Sequence, residues 1–258
     1  EKIPKAPRVG VDHFGEICQA VKALEEKKTF QAITRNEAFC EELSRERVNP
    51  LTGIIEISKG CMGNCAYCIV KIAKGPLSSK SKNQILNEAK NALKEGCKEI
   101  WLTAQDTASY GIDTDTSNFP DLVQAITALK ADFMIRIGMM NPDNALKIID
   151  DLQKMFTHQK VYSFAHIPVQ SGSNIVLKKM HRKYTIEDFE FLIESIRKQQ
   201  DLTLSTDIIT GFPGETEEDF NKTKELLYKI QFDIVNISKY GDRPGTVASK
   251  SSNKLPTE

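Results

Sequence analysis

Three cysteines stand close together in the chain, at Cys61, Cys65 and Cys68. Thiolates are soft ligands that suit zinc or an iron–sulfur cluster, and the C-x3-C-x2-C spacing lets three sulfurs converge on one small centre. A structural zinc site is closed by four ligands, and no fourth Cys or His lies nearby in the sequence, since His13 and Cys97 are distant. The spacing therefore favours a cluster with three thiolate ligands, and a zinc site or three reduced thiols remain as alternatives.

The number of ligands also indicates what the centre would do. A [4Fe–4S] cluster held by three thiolates leaves one iron with an open position, which radical enzymes use to bind S-adenosylmethionine. Gly60 and Gly63 allow the backbone to wrap closely around such a bulky group. The sequence thus predicts a [4Fe–4S] cluster and S-adenosylmethionine as cofactors, while Cys18 and Cys40 are interpreted as incidental thiols.

The elements that must position this loop follow a regular pattern. From about residue 53, short apolar β-branched runs alternate with stretches of helical periodicity, which is typical of βα units around a parallel sheet. Six such units predict an α/β fold, an open partial (βα)6 barrel, with its ligands at the carboxyl ends of the strands. The expected strands cover residues 53–58, 98–104, 133–139, 160–169, 202–210 and 232–238.

Helix signals lie between these strands. Asn141 with Pro142 suits an N-cap and first helical position. Thr185 with Asp188, and Thr216 three residues before another aspartate, match capping boxes. The other expected helices cover residues 83–95, 119–130 and 220–230.

Residues 1–50 do not share this rhythm. A helix is predicted over residues 14–27, and the charged stretch after it has little periodicity. We interpret residues 1–50 as the end of a preceding α/β domain plus a linker, and residues 51–250 as the barrel domain. The polar residues 251–258 are expected to begin a further linker.

Charge and hydropathy argue against two classes of protein. Lys plus Arg equals Asp plus Glu at 35 each, so no global positive field marks a nucleic-acid-binding protein, and any such contact must be local or made by another domain. The longest apolar runs are far shorter than the roughly 18 residues that a membrane span needs. No secretory signal is visible, so a cytoplasmic location without membrane association is expected.

The cysteine segment resembles the radical S-adenosylmethionine superfamily. The shared features are the C-x3-C-x2-C run, the aromatic Tyr67 directly before the last cysteine, and the position after the first strand of a six-unit βα chain. The resemblance implies one-electron reduction of the cluster, homolysis of the sulfonium C–S bond, and a 5′-deoxyadenosyl radical that abstracts hydrogen from the substrate. The protein would position these pieces and exclude water.

Further segments resemble the methylthiotransferases of that superfamily, which replace C–H by C–SCH3 on a tRNA base or a ribosomal protein side chain. The segments are LTAQDTASYG, HIPVQSGS, MHRKYT, DIITGFPGETEEDF and YGDRPGT, all within residues 53–248. The R-x-G-M-x-N-P stretch from Arg136 to Pro142, together with EIWLTAQDT, is most similar to the archaeal and eukaryotic enzymes acting on N6-threonylcarbamoyladenosine at position 37 of tRNA. Enzymes acting on isopentenyladenosine in tRNA or on a ribosomal protein aspartate remain alternatives, as does a non-catalytic zinc-binding module.

Polar side chains at two places are candidates for the methionine part of S-adenosylmethionine. Gln105 follows the second strand, where the superfamily often places atoms that bind the methionyl amino group. Arg182 lies between His181 and Lys183, and its guanidinium suits bidentate capture of the methionyl carboxylate, although a solvated basic surface is the alternative. A lone strand histidine such as His166 is more often a hydrogen-bonded core residue than a ligand.

Two further loops are candidates for the nucleoside part. Ser171 and Ser173 follow the fourth strand, where their hydroxyls could reach a ribose and Gly172 permits close backbone approach. Gly211 and Phe212 belong to a turn after the fifth strand, which in the family lies beside the adenine.

The resemblance also implies parts of a larger enzyme. A complete methylthiotransferase has an N-terminal domain whose three cysteines hold an auxiliary [4Fe–4S] cluster, and usually a C-terminal RNA-binding TRAM domain. The chain is therefore expected to be a radical core that does not complete methylthiolation alone. Its expected partners are the anticodon loop of tRNA and a reductant such as ferredoxin or flavodoxin. Four lysines after the cysteine loop could meet an anticodon stem or simply be solvated, namely Lys71, Lys74, Lys80 and Lys82.

Overall fold

A short parallel pair of strands lies near the N-terminus. Arg8–Val9 (β1) pairs with Gln31–Ala32 (β2), and between them in the chain a 3-10 turn leads into the helix Ile17–Glu25 (α1). The computed structural model describes residues 6–10, 12–34, 46–114, 117–198 and 201–255. Cys18 is exposed on α1, while Cys40 lies outside the described residues. The helix predicted over residues 14–27 is present, with a 3-10 first turn and an earlier end.

Six parallel strands dominate the larger of two compact units, residues 49–258; residues 1–48 form the smaller. The strands of the larger unit are Thr52–Glu56 (β3), Ser58–Lys59 (β4), Ser78–Ser79 (β5), Glu99–Thr103 (β6), Met134–Ile137 (β7), Phe164–His166 (β8), Thr203–Thr210 (β9) and Ile234–Lys239 (β10). Strands β3, β6 and β7 form one parallel sheet, and β8, β9 and β10 form another. A bridge between Ile135 and Val161 joins the two sheets in chain order, so the expected open partial barrel is confirmed.

Helices connect the strands, and local capping fixes where several of them begin. The helices are Val70–Lys74 (α2), Lys82–Lys94 (α3), Phe119–Thr127 (α4), Pro142–Ala145 (α5), Ile149–Phe156 (α6), Asn174–Lys179 (α7), Ile186–Arg197 (α8) and Glu217–Ile230 (α9). The hydroxyls of Thr185 and Thr216 accept from the third helical amide, and the aspartate there bonds back to the cap amide. Both predicted capping boxes are therefore confirmed. Within the described residues, no helix is long and apolar enough to cross a membrane.

Each inner strand turns alternate residues towards a core covered by helices. Ile100 and Leu102 of β6, and Ile135 and Ile137 of β7, are buried in that core, while the residues between them are half-buried. Alternation with a period of two is expected of strands whose two faces differ. The half-buried residues therefore face the inside of the partial barrel, whose edge strand β10 is exposed along most of its length.

The fourth barrel strand is shorter than expected. The prediction covered residues 160–169, but the continuous pairing with β9 covers only Phe164–His166. Val161 bridges to β7 instead, and Gln170 forms a separate bridge to Ile208 of β9. Ser163 is exposed between the two pairings. The predicted boundary is wrong because this strand changes partner where the two sheets meet.

Candidate cofactor site at the strand ends

The three cysteines lie on a loop that a small hairpin closes at its base. The loop follows β3, and the antiparallel pairing of β4 with β5 brings its two ends together. Gly60 permits this closure, because its φ is +70° and a Cβ there would lie 1.9 Å from the Pro76 carbonyl oxygen. The Cys61 amide then donates to the Gly75 carbonyl at 3.3 Å. The sequence thus folds the cysteine segment into a closed loop at the end of the first barrel strand.

The three thiols are half-buried and line one cavity of about 240 Å³. Gly63 leaves room between two of them, since a Cβ there would lie 3.2 Å from the Cys61 sulfur and 3.7 Å from the Cys65 sulfur. Those two sulfurs are therefore within about 7 Å of each other. The loop provides a cradle that a side chain at position 63 would partly fill, and the cradle suits a group larger than one ion.

The donor set fits a four-iron cluster better than a single zinc ion. Among the described residues, no three Cys, His, Asp or Glu side chains converge on a position for one metal ion. Zinc would require each sulfur at about 2.3 Å, whereas the thiolates of a cluster bind different irons. Burial raises the pKa of the Cys61 and Cys68 thiols, although amide hydrogen bonds from Gly63 and Val70 oppose it. Ligand binding therefore has to displace thiol protons.

Arg182 reaches the cysteine loop from the segment after α7. Its Nη1 donates to the Cys65 sulfur (3.1 Å), its Nη2 to Asn141 Oδ1 (2.9 Å) and its Nε to the Tyr184 hydroxyl (3.1 Å). Within the described residues, three of the five guanidinium N–H groups are thus engaged, and two remain for an anion. The structure therefore brings Arg182 to the cysteine loop, and its role at a methionyl carboxylate stays a prediction.

Asp106 holds Asn141 in the orientation that Arg182 uses. The carboxylate is 2% exposed and accepts from the Asn141 amide (3.0 Å), the Asn141 side chain (3.2 Å) and the Asn144 side chain (2.7 Å). Burial raises the pKa of Asp106, although these hydrogen bonds act in the opposite direction. Asn141 occupies the predicted N-cap position of α5, yet its side chain makes no capping bond, because it serves this network.

Gln105 carries an unpaired buried oxygen two residues beyond the end of β6. Its Oε1 has no hydrogen-bond partner in the described part of the chain, and Ser58 Oγ is in the same condition at the base of the cysteine loop. An unpaired buried polar atom costs free energy, and a ligand that donates to it would remove the cost. The methionyl ammonium of S-adenosylmethionine is such a donor, so this strand end fits the role that the resemblance gives Gln105.

The two serines predicted to reach a ribose are used inside the fold. Ser171 Oγ accepts from the Ser173 amide (3.2 Å). The Ser173 hydroxyl donates to Asp219 (2.6 Å) and accepts from the Val176 amide as the N-cap of α7 (3.4 Å). Both serines are buried and tie α7 to α9. A contact with a ribose stays a prediction for either one.

The turn at Gly211 and Phe212 packs against Tyr67 of the cysteine loop. Gly211 has a φ of +72°, and both turn amides donate to the Glu215 carboxylate. The buried Phe212 ring makes edge contacts with Tyr67 (centroids 6.4 Å apart) and Tyr240 (5.4 Å). The turn therefore packs against the aromatic residue that precedes Cys68, while its place beside an adenine stays a prediction.

His166 has a partner within the barrel. Its Nε2 lies 3.0 Å from both Asp207 carboxylate oxygens, and Asn236 donates to Oδ1 at 2.9 Å. Burial would raise the pKa of Asp207, but the hydrogen bonds from His166 and Asn236 outweigh burial and lower it. His166 is thus the hydrogen-bonded histidine that the sequence favoured.

The four lysines after the cysteine loop differ in their surroundings. Lys80 is 8% exposed and pairs with Glu88 at 2.7 Å, so the prediction of a phosphate contact is wrong for Lys80. Lys71 is exposed and lines the cysteine cavity, and Lys74 and Lys82 are half-buried.

Some residues of the site were not apparent from the sequence. The sequence pattern alone assigns no role to Asp106 or Glu215, and it predicts only a helix start at Asn141. The sequence signal for Asp106 is an acidic residue in the loop that follows a strand.

The fold and the cysteine loop define the class of protein. Residues 55–227 match the family model of the Radical SAM superfamily, so the chain belongs to that superfamily. Solved structures share the fold. The radical S-adenosylmethionine methyltransferase TsrM from Kitasatospora setae matches with a TM-score of 0.61 at 17% identity, over 77% of this chain and 38% of that one. Methylornithine synthase (PylB) matches with a TM-score of 0.53 at 18% identity, over 79% of this chain and 58% of that one. The family implies a [4Fe–4S] cluster and S-adenosylmethionine.

Curated relatives are more specific. A protein of Pyrococcus horikoshii named "Probable threonylcarbamoyladenosine tRNA methylthiotransferase" is 43% identical over 246 residues, which cover 94% of this chain and 58% of that protein. The human threonylcarbamoyladenosine tRNA methylthiotransferase is 41% identical over 211 residues, 81% of this chain and 36% of that protein. The chain thus spans between about a third and three fifths of the length of these relatives.

Proposed function

We propose that this chain is the radical core of a tRNA methylthiotransferase that converts N6-threonylcarbamoyladenosine at position 37 to its 2-methylthio derivative. The observation that carries the proposal is the three-cysteine loop at the end of the first barrel strand, in a chain at least 41% identical to archaeal and human proteins named for that activity. The relatives named for threonylcarbamoyladenosine favour this substrate over isopentenyladenosine and over a ribosomal protein aspartate.

In this proposal Cys61, Cys65 and Cys68 hold the cluster. The absence of a side chain at Gly63 leaves room for the cluster. When bound, the cluster and S-adenosylmethionine supply the one-electron chemistry that activates a C–H bond. Gln105 pairs its buried Oε1 with the methionyl ammonium. Arg182 fixes the loop through Cys65 and offers its remaining N–H groups to the methionyl carboxylate.

The remaining parts of the proposal concern groups outside the described site. An auxiliary [4Fe–4S] cluster on an N-terminal domain supplies the sulfur chemistry, and ferredoxin or flavodoxin supplies electrons. Residues 1–50 then belong to that domain and its linker, residues 51–250 form the radical domain, and residues 251–258 lead towards a TRAM domain. The anticodon loop of tRNA is the partner, and the cytoplasm is the expected location.

A deletion strain tests the substrate. Disruption of the gene is expected to abolish 2-methylthio-N6-threonylcarbamoyladenosine in digested tRNA, with accumulation of the unmethylthiolated nucleoside, as measured by mass spectrometry. Complementation with the wild-type gene should restore the product, and the Cys65→Ser gene should not. The Cys18→Ser gene is the matched control, because Cys18 is exposed and far from the loop in sequence.

Three outcomes would contradict the proposal. An unchanged nucleoside profile would exclude this tRNA substrate. Selective loss of the methylthio group from isopentenyladenosine, or from a ribosomal protein, would assign one of the alternatives instead. Anaerobically reconstituted protein that binds zinc and stays colourless, without absorbance at about 400 nm, would exclude the cluster.

A further inference from the structure

A stacked arginine lies on the inner face of the partial barrel, below the strand ends that carry the cysteine loop. Arg136 is paired in register with Trp101, so both side chains leave the sheet on the same face. Their neighbours Ile135 and Ile137 are buried in the helix-covered core, which places Arg136 on the opposite, inner face. The residue is thus part of the barrel interior, one position before the end of β7.

Two aromatic rings hold this guanidinium. Its central carbon lies 4.8 Å from the centroid of the Trp101 ring and 4.5 Å from that of Phe164. The negative faces of aromatic rings stabilise a cation placed over them. The N–H edge of the guanidinium presents donors in a fork, and this edge is the part that a planar acceptor can engage.

The described residues leave that N–H edge without an acceptor. Glu99 is close enough to interact electrostatically with Arg136. Its two oxygens accept instead from the Tyr162 hydroxyl (2.7 Å) and the Trp101 indole N–H (2.8 Å). Those hydrogen bonds, from Tyr162 first and then from Trp101, lower the pKa of Glu99, and the charge of Arg136 adds to the effect. Glu99 therefore balances the charge of Arg136 without occupying its donors.

We propose that Arg136 binds the carboxylate of the threonylcarbamoyl group, so that the barrel interior selects an acidic modified adenosine. The inference rests on the proposed function and names the residue that recognises the substrate. A planar guanidinium edge matches a carboxylate in two parallel hydrogen bonds. An isopentenyl group carries no acceptor and would leave the N–H donors of Arg136 without a partner, which disfavours that substrate.

The test measures binding of anticodon stem-loop RNA to the full-length protein with its cluster reconstituted. Three RNAs carry N6-threonylcarbamoyladenosine, its methyl ester or unmodified adenosine at the target position. The wild-type protein should bind the acid about 10- to 100-fold more tightly than the ester. Arg136→Gln should lose that difference and bind all three RNAs about equally.

Control variants separate the ligand contact from folding and from general charge. Arg136→Lys retains the charge but not the fork, and should keep only part of the preference for the acid. Lys154→Gln removes one positive charge from an exposed side chain and should keep the full preference. Formation of 5′-deoxyadenosine without RNA reports whether the cofactor site of each variant is intact.

Each other outcome overturns the inference. If the wild-type protein binds acid and ester equally, the carboxylate is not recognised. If Arg136→Gln weakens binding of all three RNAs by the same factor, the residue contacts a phosphate instead. If Arg136→Gln keeps the preference, another group recognises the acid, and an aspartate peptide that binds better than any RNA would point to the ribosomal substrate. The nucleoside profile of the deletion strain judges the proposed function separately, so the two failures are distinguishable.

Discussion

The guanidinium of Arg182 donates a hydrogen bond to the sulfur of Cys65 across 3.1 Å, although 117 residues separate the two in the chain. Hydrogen bonds to cluster sulfurs stabilise the more negative, reduced state and so raise the reduction potential. The contact therefore links the loop after α7 to the electronic properties of the centre that the three cysteines would hold.

Replacement of Arg182 should make the cluster harder to reduce. Arg182→Met removes both the N–H donor and the charge, and the midpoint potential should fall by roughly 20–60 mV, the equivalent of one hydrogen bond for a one-electron couple. Redox titration followed by electron paramagnetic resonance measures the shift without S-adenosylmethionine. Lys183→Met removes the neighbouring exposed charge and should leave the potential within about 10 mV of wild type. Equal shifts in both variants would show that charge alone, and not the contact with Cys65, sets the potential.

The three loop cysteines should be individually required for the cluster. After anaerobic reconstitution, serine at position 61, 65 or 68 should reduce bound iron and sulfide to a small fraction of the wild-type content, because each thiolate is expected to bind a different iron. Cys18→Ser should retain the wild-type content, since Cys18 is exposed on α1. Full iron content in any one of the three loop variants would remove that cysteine from the ligand set.

Asp106 should contribute to stability through its three accepted hydrogen bonds. Asp106→Ala leaves the Asn141 and Asn144 donors without their buried partner and should lower the free energy of unfolding by about 1–3 kcal/mol. Urea denaturation of the cluster-free protein measures the change. Asp143→Ala, at a half-buried acid next to the same helix start, should cost less than about 1 kcal/mol. A loss as large in Asp143→Ala would mean that the helix start, and not the buried acceptor, is responsible.

The contribution of Asp106 to the free energy of unfolding should decrease as the pH rises. The folded-state pKa of Asp106 is raised by burial above its unfolded value, so the folded state holds the proton more tightly. This contribution to stability is fully present below the unfolded pKa of about 3.9 and is lost as the pH rises through the folded pKa. Urea denaturation at several pH values from 4 upward should therefore show a decline that is smaller in Asp106→Asn, which cannot titrate. A steeper decline in the variant would contradict the direction of the shift.

Local signals in the sequence predicted much of the fold. The capping boxes at Thr185 and Thr216 involve residues three positions apart, and the alternation in β6 and β7 is a property of single strands. The network at the site joins distant parts of the chain instead, since Asp106 and Asn141 are 35 residues apart. Periodicity carries no information about which loops meet at the barrel rim. The stacking of Arg136 on two rings likewise depends on sheet register, which the sequence pattern does not specify.

Gly172 should tolerate no side chain. A Cβ at this position would lie 2.5 Å from the Lys222 carbonyl oxygen and equally close to Thr223 Cα, so α9 would have to move away from the loop after β8. The displacement would also strain the hydrogen bond from the Gly172 amide to Thr223 Oγ1 (2.8 Å). Gly172→Ala should therefore lower the free energy of unfolding by about 1–3 kcal/mol in thermal or urea denaturation. Gly241→Ala is the control, because the nearest atom to its Cβ is 4.0 Å away.

Gln105 should lower the stability of the cofactor-free protein and strengthen the binding of S-adenosylmethionine. Its Oε1 is buried and has no hydrogen-bond partner among the described residues, so Gln105→Leu replaces an unpaired polar atom by an apolar group of similar size. The variant should unfold at a higher urea concentration than the wild type when cluster and cofactor are absent, with a gain of about 1 kcal/mol. The same change should weaken binding of S-adenosylmethionine to the reconstituted protein about tenfold, as measured by calorimetry.

Gln153→Leu is the control that shows whether any replacement of glutamine by leucine raises the free energy of unfolding. Gln153 Nε2 donates to the Ser195 carbonyl at 2.8 Å, so its replacement leaves an acceptor without a donor and should lower stability while leaving cofactor affinity unchanged. Opposite signs in the two leucine variants would identify Gln105 Oε1 as an atom kept unpaired for a ligand. A loss of stability in Gln105→Leu would instead mean that the oxygen already accepts a hydrogen bond in solution. The proposed contact between Gln105 and the methionyl ammonium would then be contradicted.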